Sequence, residues 1–322
     1  MNKFCTLLFC ISAGFAAAPA HAQAPFPNKA VRVIVPFPAG GSADVLARIV
    51  GEKLSGKWGQ PVVVENRVGA GGNIGAEFVY RADPDGYTIL SSPPGPLSIN
   101  HNLYKQLPFE PAKFVPITVL AIVPNVITAK LDLPANSAKE LIAYAKANPG
   151  KVIYASQGNG STSHLSAQMF ATMTGIELTH VPYKGEGPAL VDIVAGRVDI
   201  FIGNIAAALR LQQAGKVKFL GVASRTRSPV APDIPAAAEI GLPDFIASAW
   251  FAFVAPPGTP NAIVQQINAA TVEALRMPDV RKRYLEQGAE PVGNTTAEMA
   301  AFVKEEMARW QNVIKTANVT LQ

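Results

Sequence analysis

Three stretches of this chain set glycines, hydroxyls and a ring or charge between a β-branched run and an amphipathic segment. The first is Phe37-Pro38-Ala39-Gly40-Gly41-Ser42, lying between Val31–Val35 and the helically spaced Val45, Leu46, Ile49, Val50 and Leu54. The second is Ser156-Gln157-Gly158-Asn159-Gly160-Ser161-Thr162-Ser163-His164, which opens a segment striped with Leu165, Met169 and Met173. The third, Tyr183-Lys184-Gly185-Glu186-Gly187-Pro188, follows another apolar run. Each reads as strand, loop, helix. Glycine lets backbone approach a ligand closely, and the unpaired N–H groups of a new helix favour an anion. Ser42 is expected as the N-cap of the first helix. Tyr183 offers a ring face with a polar tip to a cleft, while Lys184 reads as solvated.

Other chemistries find less support. Gly69-Ala70-Gly71-Gly72-Asn73-Ile74-Gly75 approaches a dinucleotide fingerprint, but Ile74 stands where the third glycine belongs and no ribose-binding acid follows at the usual distance. Serine-hydrolase chemistry would use Ser161 with His164 as base, yet the Gly-x-Ser-x-Gly elbow is missing. His101, His164 and His180 lack ligand spacing, so no metal is expected. Asp44 and Asp199 suit first-turn and loop-orienting roles without acid–base work. No cofactor is expected.

The positioning elements follow from periodicity. Strand-helix alternation from residue 31 to 90 implies a parallel sheet with right-handed crossovers. Two apolar runs over 117–129, broken by Pro124-Asn125, read as the passage into a second α/β unit. In it, helices are expected over 138–147, 161–174, 188–195 and 205–213, with strands over 152–155, 178–181, 198–202 and 217–222. The aromatic segment 248–255 fits a return strand, followed by helices alone. Thr259-Pro260 is expected to start one of these with proline at its first position, and Thr295 with Glu298 forms a capping box for another. These helices should pack back on the first unit. The expected division is 23–124 and 249–322 for one domain and 125–248 for the other, with a cleft between them.

Lys3, the apolar run 7–18 and Ala20-His21-Ala22 form a secretory signal pattern over 1–22. Both cysteines, Cys5 and Cys10, fall inside it, so the exported chain would carry no disulfide. The whole sequence has 28 Lys and Arg against 23 Asp and Glu and contains no basic run longer than Arg281-Lys282-Arg283, which argues against nucleic acid as a partner.

Several motifs in order resemble one family. They are Pro36-Phe37-Pro38-Ala39-Gly40-Gly41-Ser42-Ala43-Asp44, Val64-Glu65-Asn66-Arg67 with the glycine-rich 69–75, Pro84-Asp85-Gly86-Tyr87-Thr88, and Val181-Pro182-Tyr183-Lys184-Gly185. The family is the Bug (Bordetella uptake gene) group, the TctC-like receptors of tripartite tricarboxylate transporters, and the similarity spans 26–315. The resemblance implies a periplasmic solute-binding protein of the two-domain, Venus flytrap α/β fold that closes on a small organic carboxylate, with membrane permease subunits as partners. It further implies that Phe37, Pro38, Ala39, Gly40, Gly41 and Ser42 form the carboxylate loop of the first domain. Ser156, Gly160, Ser161 and His164 would supply the opposing loop, with Tyr183 and Asn204 lining the cleft. Where many members carry an Asp-Asn pair this chain has Gly203-Asn204, which points to a carboxylate without an amine. A monomer is expected. A ligand-sensing receptor without transport would use the same site.

Overall fold

The computed structural model of the chain describes residues 26–316 and 319. The expected signal segment 1–22 lies outside the described residues.

The first lobe opens with β1 (Val31–Val35), α1 (Ser42–Trp58), β2 (Val62–Asn66), α2 (Asn73–Tyr80) and β3 (Thr88–Ser92). β1 is buried except at Arg32 and pairs in parallel with β2 and β3, as a β-branched strand covered on both faces should. α1 buries the stripe Leu46, Ile49, Val50 and Leu54 and stops at Gly59, whose left-handed φ of 62° closes the last turn. Its start corrects the expected cap. Gly41 is the N-cap and Ser42 the first helical residue, because Asp44 reaches back to the Gly40 N–H at 3.0 Å and leaves the Ser42 hydroxyl free for a partner across the cleft. The near-fingerprint before α2 serves packing. A Cβ on Gly75 would stand 2.8 Å from the Arg67 carbonyl oxygen and 2.9 Å from Pro36 Cα, so only glycine lets α2 lie this close to the end of β1.

β4 (Val115–Lys130) joins the lobes. The interruption at Pro124-Asn125 does not split it. Up to Pro124 it pairs antiparallel with the return strand, and from Asn125 onward it pairs with two strands of the second lobe. Proline, which lacks an N–H, falls where the ladder changes partners. The second lobe continues with α3 (Ala138–Ala147), β5 (Ile153–Ser156), α4 (Thr162–Thr174), β6 (Thr179–Pro182), α5 (Glu186–Val194), β7 (Ile200–Asn204), α6 (Ile205–Gln213) and β8 (Val217–Val222). β7, β5 and β6 are parallel neighbours, while β7 and β8 flank β4 in antiparallel register.

β9 (Ser248–Ala255) returns to the first lobe between β3 and β4, antiparallel to both. There follow α7 (Asn261–Arg276), α8 (Pro278–Glu286), β10 (Glu290–Pro291) and α9 (Thr296–Thr316). β10 is a short strand on β4 where helices alone were expected, and Pro260 caps α7 from outside the helix rather than entering its first turn. The helices pack on the first lobe as expected. Tyr284 donates to the Leu46 carbonyl from a fully buried position, and Glu306, 8% exposed, accepts from the indoles of Trp250 and Trp310 at 2.8 and 3.0 Å while pairing with Arg309. The capping box forms, with the Thr295 N–H donating to Glu298 and the Glu298 N–H to Thr295 Oγ1. No helix among the described residues is long and apolar enough to cross a membrane.

Candidate functional site

Four helices begin at one place between the lobes. Ser42 of α1 comes from the first lobe; Thr162 of α4, Glu186 of α5 and Asn204, the N-cap of α6, come from the second, and all four line a single cavity of about 390 Å³. The loop 37–42 forms one wall. Asp44, 3% exposed, shapes it by accepting from the Gly40 N–H, from Arg48 at 3.0 Å and from the Asn66 amide at 2.9 Å. Burial alone would raise the Asp44 pKa, but the hydrogen bonds from Arg48, Gly40 and Asn66 overcome it and leave the carboxyl below its usual range. The Asn66 amide also donates to the Phe37 carbonyl, tying β2 to the loop.

The opposing loop is held by its own hydroxyls. Ser161 caps α4, accepting from the His164 N–H at 3.4 Å and donating to the Gly158 carbonyl at 2.6 Å. Ser163 accepts from the Gln157 N–H at 2.8 Å. Gly160 and Ser161 border a smaller hollow of about 20 Å³ that shares Phe37, Gln157 and Thr162 with the main cavity.

Of the residues singled out in the sequence, Phe37, Pro38, Ala39, Gly40, Gly41, Ser42 and Asn204 line the main cavity, and Gly160 and Ser161 the adjoining hollow. Three others point elsewhere. Ser156 is fully buried beneath the loop and hydrogen-bonded to His180 Nε2 at 2.7 Å. His164 lies behind the loop, its Nδ1 accepting from the Gly160 N–H at 3.1 Å and its ring stacked on His180 at 4.3 Å. The Tyr183 hydroxyl turns to Asp192 of α5 at 2.6 Å, so its ring packs along the second lobe rather than facing the cavity. Ser161 and His164 are therefore not paired as nucleophile and base: the Ser161 hydroxyl meets the His164 backbone, and the imidazole is engaged with Gly160.

The central side chain carries no distinguishing mark in the sequence. Glu186 opens α5 directly after Gly185, and its carboxylate spans the cleft. Oε2 accepts from the Ser42 N–H at 3.4 Å and the Ser42 hydroxyl at 3.2 Å; Oε1 accepts from Gln157 Nε2 at 2.8 Å and from Asn204 Nδ2. Burial pushes its pKa up, and the bonds from Ser42 and Asn204 act in the opposite direction. Its sequence signal was an acid in the first turn of a helix behind a glycine loop, indistinguishable from an ordinary dipole-compensating glutamate. Among the described residues, Arg210 of α6 is the one cationic side chain lining the cavity, on its exposed side.

The family model described as the tripartite tricarboxylate transporter family receptor, TctC, matches residues 46–319. The chain belongs to this family. Among its relatives, protein BugT of Bordetella pertussis is 39% identical over 317 residues, covering 98% of this chain and 97% of that protein. The solved structure of R. palustris Rpa4515 with adipate has a TM-score of 0.89 at 39% identity, covering 92% of this chain and 99% of that one. MatC from Rhodopseudomonas palustris with bound malate has a TM-score of 0.85 at 36% identity, covering 90% of this chain and 100% of that one. The two solved structures match 92% and 90% of this chain, so the similarity takes in both lobes.

Proposed function

We propose that this TctC-family receptor acts in the periplasm, captures a small organic carboxylate between its lobes and delivers it to the permease of a tripartite tricarboxylate-type transporter. The lobes are residues 26–124 with 249–316, and 125–248, hinged at Pro124-Asn125 of β4 and at the entry to β9. The observation that carries the reading is the convergence of four helix starts, from both lobes, on one cavity in which a carboxylate, the chain's own, is held by donors from each side. The helix start at Thr162 and the Arg210 guanidinium, which line the same cavity, favour a small anion. A ligand that touches both walls favours the closed arrangement in proportion to its preference for it. The bound adipate and malate of the two R. palustris relatives support the ligand class.

The test is thermal unfolding of the 23–322 protein against a panel of mono-, di- and tricarboxylates, with and without amino or hydroxyl groups, at neutral pH. A ligand at 100 times its dissociation constant adds about 2.7 kcal/mol to stability. A shift confined to one chemical subclass supports the reading, and no shift with any acid overturns it.

A further inference from the structure

We propose that Glu186 is an internal latch: its carboxylate takes the place of a ligand carboxylate at the α1 start, holds the two lobes together before a ligand arrives, and leaves Ser42 when one binds there. The proposal rests on the receptor reading and adds the step that sets its affinity.

Three observations carry it. First, Glu186 supplies the polar link across the cleft. Among the described residues, the Ser42 N–H and hydroxyl donating to Glu186 Oε2 are the only hydrogen bonds that pass between the lobes away from the hinge strands, apart from Arg309 donating to the Ile246 carbonyl at 3.4 Å just ahead of β9. At the other rim the contact is apolar, where a Cβ on Gly160 would stand 2.6 Å from Leu103 Cδ1. Second, the carboxylate is fixed to one lobe and loosely held by the other. Gln157 Nε2 at 2.8 Å and Asn204 Nδ2 bind Oε1, and the Gly185 N–H, one residue ahead, donates to the Gln157 carbonyl at 3.1 Å, so Glu186 moves with the second lobe. Its bonds from the Ser42 N–H and hydroxyl, at 3.4 and 3.2 Å, are both longer than is usual for their kind. When the lobes part, these two bonds break and the others stay. Third, the donors that Glu186 takes are those a ligand carboxylate needs: the first N–H of α1 and the hydroxyl beside it.

Such a latch is displaceable. The hydrogen-bond partners of Glu186 among the described residues are two amides, an N–H and a hydroxyl, so its bonds offset only part of the cost of drawing a carboxylate out of water. A ligand carboxylate arriving at Ser42 meets a like charge there, and the two do not share one pair of donors. A receptor shut on its own side chain binds only in the fraction of molecules whose latch is open, and its apparent affinity is lowered by that fraction.

The experiment measures the distance between the lobes. The 23–322 protein contains no cysteine, so Gly56→Cys in α1 and Ala147→Cys in α3, both exposed, carry spin labels on opposite lobes for double electron–electron resonance. In the protein as purified without ligand, Glu186→Ala should shift the distance distribution away from that of the otherwise native pair and toward longer distances, and adipate or malate should shift it back. Calorimetry should show Glu186→Ala binding adipate or malate tenfold or more tightly than the native protein does, the gain expected when the latch is shut in about nine-tenths of molecules or more. A ligand-free distribution that is the same with and without Glu186 overturns the latch whatever the affinities do, because a gain in affinity alone is then the loss of charge repulsion. A lengthened distance with affinity unchanged or lowered overturns the displacement step, since the ligand then does not compete with Glu186. If neither adipate nor malate binds, the ligand-free distances decide the latch by themselves, and failure of the receptor reading is read separately from the wider thermal panel. Should Glu186→Ala fail to fold, Glu186→Ser, too short to reach across to Ser42, serves in its place.

Discussion

Lowering the pH from 7 to 5 should weaken this fold through two stacked histidines that hold the opposing loop from behind. Tyr154, His180 and His164 form a column, with ring centroids 4.6 Å apart at an interplanar angle of 12° for the first pair and 4.3 Å apart at 4° for the second. Burial holds the pKa of both histidines down to about 4, and His180 further disfavours charge on His164. His164 Nδ1 accepts from the Gly160 N–H, so a proton placed there sets donor against donor and unhooks the loop. The folded state keeps both rings neutral, whereas the unfolded chain takes up protons below its ordinary histidine pKa of about 6.5. The stability these rings contribute is therefore complete above pH 6.5, falls as the pH drops from about 6.5 toward about 4, and levels off below. Linkage makes the loss about 2 kcal/mol per ring between pH 7 and pH 5. Glu186 opposes the trend, because its raised pKa makes protonation in the same direction favour the fold, and His101, lowered by burial, adds to it. His180→Phe isolates the histidine contribution, since it keeps a ring in the stack and removes one titration. Urea unfolding followed by circular dichroism at constant ionic strength should show the variant less stable than the native protein at pH 7, where its bond to Ser156 is missed. The gap should close by about 2 kcal/mol at pH 5. A gap that stays constant to within about 0.5 kcal/mol would refute the claim that the folded state excludes protons from this stack.

Three further outcomes follow from the packing. Tyr183→Ala should leave affinity unchanged to within about twofold for small and aromatic acids alike, because the hydroxyl is spent on Asp192; a tenfold loss measured by calorimetry would put the ring back in the cavity. Gly75→Ala should cost about 1–3 kcal/mol in urea unfolding, since the new methyl meets backbone at Arg67 and Pro36 that cannot give way, and a cost near zero would show that α2 can slide outward. Glu306→Leu should cost about 2–4 kcal/mol and change the tryptophan fluorescence, because it strands two indole N–H groups and the Arg309 guanidinium; a variant as stable as the native protein would mean that α9 is pinned by apolar contact alone.

Much of the architecture is legible locally. The stretches 205–213, 217–222 and 248–255 have the boundaries that apolar periodicity assigns them, and the Thr295–Glu298 box forms as written, because each depends on residues within a turn or a strand of one another. The cap of α1 was misplaced for a nonlocal reason. Ser42 is a good N-cap by type, but Asp44 takes over the Gly40 N–H and the hydroxyl is drawn across the cleft by a residue 144 positions away. Tyr183 looks like a cleft residue by type, but Asp192 on α5 takes up its polar tip.

By itself the sequence determined the succession of strands and helices, the three glycine-bearing helix starts, the crossing of the chain between two units and, through ordered motifs, the receptor family. These follow from periodicity, backbone freedom and capping, which act over a few residues. Only the tertiary structure decided which side chains meet in the cavity. Glu186 looks like any first-turn acid until α5 and α1 are brought face to face, and His164 like a loop-facing ligand until its ring is seen stacked on His180. Charge pairing and burial depend on distance through space, and the sequence states neither.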